Sequence, residues 1–132
     1  MSDVKKEYLP GVCNIGAAEK GVRRRAGWAG LVLTVLLWGL FIIFRVAAPW
    51  RLFVFLPAVL GASGFLQAAM SFCVNFGMRG VQNFGEKVGE VTAVDESSAK
   101  RKDRGRSVQI LGYSVAIAAV VAVMSFATGF LV

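Results

Sequence analysis

Three long apolar stretches, set apart by short basic segments, dominate the chain. Residues 26–44 hold 19 consecutive positions without a charge. At about 1.5 Å rise per residue a helix of that length spans about 28 Å, close to the hydrocarbon thickness of a bilayer. Residues 52–73 form a second such stretch. Its Pro57 falls in the first turns, where a missing amide hydrogen costs least. Residues 107–132 form the third, uncharged to the last residue. Only residues 45–51 join the first stretch to the second, and Pro49 interrupts any helix there. The pattern predicts a tight antiparallel hairpin. The expected fold class is all-α and integral to a membrane: a helical hairpin plus a third transmembrane helix.

The remaining chain falls into two aqueous segments. Residues 1–25 begin polar, turn at Pro10-Gly11, and offer Asn14 or Gly16 as a helix start. Glu19 then lies in the first turns, where the helix dipole favours a negative charge. Residues 17–25 place Ala18 and Val22 in line with Ala26 and the charges elsewhere, which predicts an interfacial lead-in helix. Residues 74–106 read as a basic linker. Gly77, Gly80, Gly85 and Gly89 suggest hinges near the membrane surface. No strand–loop–helix frame or Lys-Ser/Thr ending supports a phosphate loop. The charge-rich part, 95–106, predicts a solvated linker.

Composition sharpens this picture. Of 132 residues, 56% are hydrophobic and 17% charged, against about 45–50% and about 25% in soluble domains. The net charge is +7, and the position of the basic residues gives an orientation. Six of the 15 Lys and Arg precede residue 26, seven lie in 74–106, and the 45–51 turn has two. Loops rich in Lys and Arg stay in the cytosol. The expectation is a multi-pass protein of a bacterial-type inner (plasma) membrane, amino terminus cytosolic and carboxyl terminus outside. Arg23, Arg24, Arg25, Lys100, Arg101, Lys102, Arg104 and Arg106 are the expected contacts to anionic headgroups. Nucleic-acid binding is not expected, because no basic stripe interleaves with aromatics.

Candidate chemistry is sparse. The chain has no His, which removes the commonest general base and metal ligand. Two cysteines alone cannot complete a structural zinc site. No metal or other cofactor is expected. The apolar stretches contain no acidic or basic residue, which argues against a proton-coupled transporter. Trp28 and Trp50 suit the interfaces, whereas Trp38 is mid-span and its indole N–H requires a partner. Ser63, Gln67 and Asn75 are expected in helix-to-helix hydrogen bonds rather than a pathway.

Asn14-Ile15-Gly16, Glu19-Lys20, Arg23 and Gly27 lead into the first stretch, and Phe72-Cys73, Phe76 and Gly80 lead out of the second. These residues resemble the entry and exit motifs of the YgaP-like family of small membrane proteins, over about residues 13–80. Where that family often has Gly before Phe and Pro after Cys, this chain has Ser71 and Val74. The resemblance implies a two-helix hairpin, in some members fused to a rhodanese sulfur-transfer domain. The chain is too short to hold such a domain as well.

Two readings of function follow. In the first, the protein is a small non-enzymatic accessory or scaffold subunit, forming a homo-oligomer or joining a larger membrane complex. In the second, Cys13 and Cys73 serve as thiols for a sulfur-handling partner of a separate cytosolic enzyme, with Arg23–Arg25 or Arg79 nearby to favour the thiolate. Against the second, Cys73 suits plain packing at a helix end. For helix association, small residues that permit close backbone approach matter most in lipid. Ser114, Ala118, Ala122, Ser125 and Gly129 share one face of the third helix. Gly61, Gly64 and Ala68 form a strip on the second, and the two strips are expected to meet. The orientation is tested by reporter fusions at both ends: a cytosolic reporter should be active at the amino terminus and silent after Val132. Activity after Val132 would overturn the three-span arrangement.

Overall fold

The computed structural model describes residues 8–131 and is mostly helical. Helix α1 runs Ala17–Ile43, a 3-10 helix follows at Ala48–Val54, and α2 runs Phe55–Met70. A short α3 (Val74–Arg79) leads to a two-stranded antiparallel ribbon, β1 (Val81–Gln82) against β2 (Thr92–Ala93). Helix α4 occupies Ser97–Thr128. Three helical segments, Ala17–Ile43, Ala48–Met70 and Ser97–Thr128, are long and apolar enough to cross a membrane. Their outward faces carry Leu33, Val35, Leu36, Leu56, Val120 and Val123, all more than half exposed, as lipid-facing surfaces require.

The element boundaries differ from those expected of the sequence. The lead-in 17–25 and the first apolar stretch form one continuous helix of 27 residues. The third helix begins at Ser97, ten residues before the apolar stretch, so the charged run 95–106 is not a solvated linker throughout. Ala99 and Asp103 within it are buried. At about 1.5 Å per residue α4 is about 48 Å long, more than the ~30 Å of a hydrocarbon core, and its first ten residues are the charged ones.

Glycine determines how α1 meets α2. A Cβ on Gly64 would lie 2.5 Å from the amide nitrogen of Gly27, and one on Gly61 would lie 3.0 Å from that of Leu31. A Cβ on Gly30 would collide with the backbone of Gly61, and one on Gly27 with the Phe65 ring at 2.8 Å. The α2 glycines therefore do not meet the α4 strip. Two Gly pairs draw α1 and α2 together, and the short connection between them makes this the nearest available partner. The α4 strip is buried: Ser114, Ala118, Ala122 and Ser125 are at most 5% exposed. It belongs to a longer stripe that also includes Ala99, Asp103, Ser107 and Ile110. Helix α4 packs on α2, on α3 and on the 3-10 helix, where Gly129 lies against Ala48.

Arg51, assigned from the sequence to a polar turn, is instead buried. Its Nε donates to the Val46 carbonyl at 2.9 Å and its Nη1 to Thr128 Oγ1 at 3.1 Å. Trp38 finds its required partner here, donating Nε1–H to the same Thr128 oxygen at 3.2 Å. Thr128 in turn donates to the Ser125 carbonyl at 2.6 Å. One threonine thus ties the ends of α1, the 3-10 helix and α4. Ser63 turns to the Leu60 carbonyl of its own helix, whereas Gln67 donates to the Ser63 carbonyl of its own helix and accepts from the Val74 amide of α3. Asn75 is exposed.

The packing yields a set of contrasting variants. Gly64→Val and Ala118→Leu place bulk where none fits and should each destabilise the protein by about 1–3 kcal/mol. Gly39→Ala meets open space and Val120→Leu lies on an exposed face, so both should be neutral or slightly stabilising. Thermal unfolding in detergent is the measurement, and equal tolerance at all four positions would contradict the glycine-paired hairpin.

Candidate functional site

The polar groups of the chain gather at the amino-terminal end of the bundle. Asn14, fully buried, lies against the turn that ends α2. Its Oδ1 accepts from the Cys73 amide at 2.7 Å and its Nδ2 donates to the Cys73 carbonyl at 3.2 Å. One side-chain amide thus satisfies both backbone groups of one residue, as a neighbouring strand would. The Asn14 and Ile15 amides donate to the Ser71 carbonyl at 3.0 and 3.3 Å. On its other side, the Asn14 carbonyl accepts from the Asn83 amide and Gly16 donates to the Asn83 carbonyl. Residues 14–16 are threaded between the α2–α3 turn and the start of the loop after β1.

Ser71 makes that turn at φ 53° and ψ 43°, the left-handed conformation at a helix C-cap where glycine is favoured. The Ser71 Cβ makes the turn strained by about 1 kcal/mol.

Glu19, 1% exposed, sits in the first turn of α1. Its Oε1 pairs with Arg23 Nη1 at 3.3 Å, and its Oε2 accepts from Asn83 Nδ2 at 2.9 Å and the Gly89 amide at 2.6 Å. Asn83 also donates to the Lys87 carbonyl and accepts from the Gly85 amide, both at 2.9 Å. Gly85 and Gly89 therefore act as amide donors that close the loop over Glu19. Arg23 does not face the membrane surface, as its place in a basic run suggested. Its Nη2 lies 2.8 Å from Cys73 Sγ, and its guanidinium lies 5.7 Å from the Phe76 ring centre. Cys73 is 1% exposed and packs with Ile15 and Phe76 in an apolar cluster. Gln67 Oε1 accepts from the Val74 amide at 2.9 Å, and Ser107 Oγ donates to the Val74 carbonyl at 3.0 Å, which fastens α3 to α2 and α4.

A strap, residues 8–13, crosses α4 beside this junction. The fully buried Asp103 accepts from the Tyr8 hydroxyl at 2.5 Å and from the Gly11 amide at 2.7 Å. Arg106 Nε donates back to the Gly11 carbonyl at 2.8 Å. Burial, followed by the hydrogen bond to the Asp103 carboxylate, raises the Tyr8 phenol pKa above its ordinary value. The folded state then retains a proton that the unfolded chain releases above about pH 10, so this contribution to stability declines only as pH rises beyond that value.

The two motifs read from the sequence come together here: Asn14, Glu19 and Arg23 from one, Cys73 and Phe76 from the other. Cys13 is half-buried in the strap, and neither cysteine is in a disulfide. Arg24, Arg25, Lys100, Arg101, Lys102 and Arg104 are exposed, and Arg106 is half-buried. Among the described residues, no group of three His, Cys, Asp or Glu is placed to hold a metal ion. Sequence reading missed Asn83 and Asp103. Asn83 stands in an Asn-Phe-Gly turn signal, and Asp103 continues, four residues upstream of Ser107, the stripe of small residues on α4. Comparison with protein-family models, curated proteins and solved structures finds no match for this chain.

The junction predicts two opposite effects. Ser71→Gly relieves the left-handed strain and should raise stability by about 1 kcal/mol. Asn14→Ala leaves the buried Cys73 amide unpaired, while its carbonyl keeps the Gly77 amide, and should lower stability by about 1–3 kcal/mol. Chemical denaturation in detergent micelles checks both, and a destabilised Ser71→Gly protein would refute the strain at this turn.

Proposed function

We propose that the chain is a small non-enzymatic membrane protein, an accessory or scaffold subunit that associates with itself or with other membrane proteins. Supporting this reading, the ionisable and polar groups of the junction are turned on one another. Glu19 is held by Arg23, Asn83 and Gly89, and Cys73 is buried beneath Arg23. Such a network joins the first turns of α1, the α2–α3 turn and the loop after β1 at one end of the helix bundle. The bias of Lys and Arg towards residues 1–25 and 74–106 supports a bacterial-type inner membrane with this end in the cytosol and the carboxyl terminus outside. What supports a link to the YgaP-like family is that its entry and exit motifs come together in one place.

One observation favours a second reading, a thiol partner for a separate cytosolic sulfur-handling enzyme. The Arg23 guanidinium contacts Cys73 Sγ at 2.8 Å, which sets a cation directly beside the thiol. Crosslinking in native membranes, followed by identification of the neighbours, separates the two readings. With a Cys13→Ser/Cys73→Ser variant, the scaffold reading expects the same neighbours in the same yield. Neighbours lost from that variant but retained in Ser71→Gly would establish the thiol reading instead.

A further inference from the structure

A groove of about 310 Å³ lies between the strap and the start of α4, lined by Pro10, Gly11, Lys102, Arg106 and Gln109. Its charge is cationic. Among the described residues no acid lines it, and Asp103 is committed to Tyr8 and Gly11. Arg106 is held by the Gly11 carbonyl through Nε and by Gln109 Oε1 through Nη1, at 2.8 Å each. That fixes the guanidinium plane while its Nη2 makes no protein hydrogen bond among the described residues. Lys102 is exposed, one helical turn away on the same face, and among the described residues pairs with no acid. Two cations at this spacing, one oriented by the protein, suit a phosphate group.

The position of the groove narrows the source of that phosphate. It sits where the polar part of α4 gives way to the apolar part, at the depth of lipid headgroups. From Lys102 and Arg106 the same flank of α4 continues through Gln109, whose Nε2 donates to the Tyr113 hydroxyl at 3.1 Å, to Ile117. Ile117 and Val121 line a second groove of about 190 Å³, wholly apolar, walled by Ala62 and Phe65 of α2 and by Leu31 of α1. Arg106 and Ile117 are 11 residues apart, about 16 Å along the helix. That is about half of the ~30 Å hydrocarbon core, the distance an acyl chain covers from headgroup to midplane. A cationic groove at the surface and an apolar groove at the midplane, on one helix flank, match one amphiphile.

We propose that this flank of α4 is a specific site for an anionic phospholipid of the leaflet on the amino-terminal side. Its phosphate lies between Lys102 and Arg106, and one acyl chain runs past Tyr113 into the groove at Ile117 and Val121. The site deepens the reading of the protein as a membrane subunit and rests on its three helices crossing a bilayer. Diffuse attraction of basic residues to an anionic surface would treat every exposed cation alike, whereas this site does not.

The test uses the full chain purified in detergent, with retained lipid counted by native mass spectrometry after adding phosphatidylglycerol or phosphatidylcholine. Extraction from the membrane fraction is scored first, so a chain that fails to insert is recognised before any lipid is counted. The expected result is one phosphatidylglycerol retained per chain at least tenfold more tightly than phosphatidylcholine. Lys102→Gln/Arg106→Gln should abolish that preference, and Arg101→Gln/Arg104→Gln, which removes the same charge from other faces of α4, should preserve it. Lys102→Gln alone breaks no side-chain hydrogen bond among the described residues and should weaken retention severalfold, which guards against collapse of the strap in the double variant. Ala62→Phe should fill the lower groove and weaken retention without touching a charge. Glycerol phosphate, which has the headgroup chemistry but no acyl chain, should compete poorly. Equal retention of the two lipids, equal loss in both double variants, or full competition by glycerol phosphate would each overturn the site.

Discussion

The carboxyl group of Glu19 is withdrawn from water at one end of the helix bundle, and much of the surrounding architecture serves to satisfy it. A buried carboxylate is tolerated only with a cation and hydrogen-bond donors around it. Arg23, one turn along α1, supplies the cation. The donors come from Asn83 and Gly89, more than sixty residues away, so the loop between β1 and β2 must fold back over the start of α1. Once Asn83 is there, its backbone pairs with Asn14 and Gly16, and the side chain of Asn14 pairs with Cys73. Removal of the acid would leave a chain of partners without a centre.

Lower in the bundle a different constraint governs. In lipid there is little hydrophobic drive for helices to associate, and contact depends on how closely backbones approach. The Gly27–Gly64 and Gly30–Gly61 pairs give α1 and α2 that approach. Helix α4, whose Gly105 and Gly112 have no neighbour within 4 Å of a built Cβ, packs instead through alanine and serine. Ser114 satisfies its hydroxyl on the Ile110 carbonyl of its own helix, so a polar side chain is buried there without a partner from another helix. The far end is closed by Thr128, which receives Trp38 and Arg51 together.

The two ends therefore differ in kind. The amino-terminal end carries a layer of structure outside the apolar part of the bundle: the strap, α3, the ribbon and the first turns of α4. The far end is a short 3-10 turn with a buried arginine. Exposed cations concentrate at the first end, along α4 and beside the strap.

The number and placement of apolar helices were legible in the sequence because a membrane demands about twenty uncharged residues per crossing, and that demand is written in consecutive positions. The partnered Trp38 and the inward small-residue face of α4 were legible for a related reason: helical periodicity says which residues share a face. Which faces meet was not legible. The Gly61 and Gly64 strip carries no mark that it belongs to α1 rather than α4, because small residues on any helix present the same spacing. Nor did the charge run 95–106 show that Asp103 turns inward while its neighbours stay in water. Arg23 and Arg51 sit in basic segments that locally resemble surface. Only the tertiary structure brings Asn83 to Glu19, Cys73 to Asn14 and Gly11 to Asp103, because the satisfaction of a buried polar group depends on donors far away in the chain.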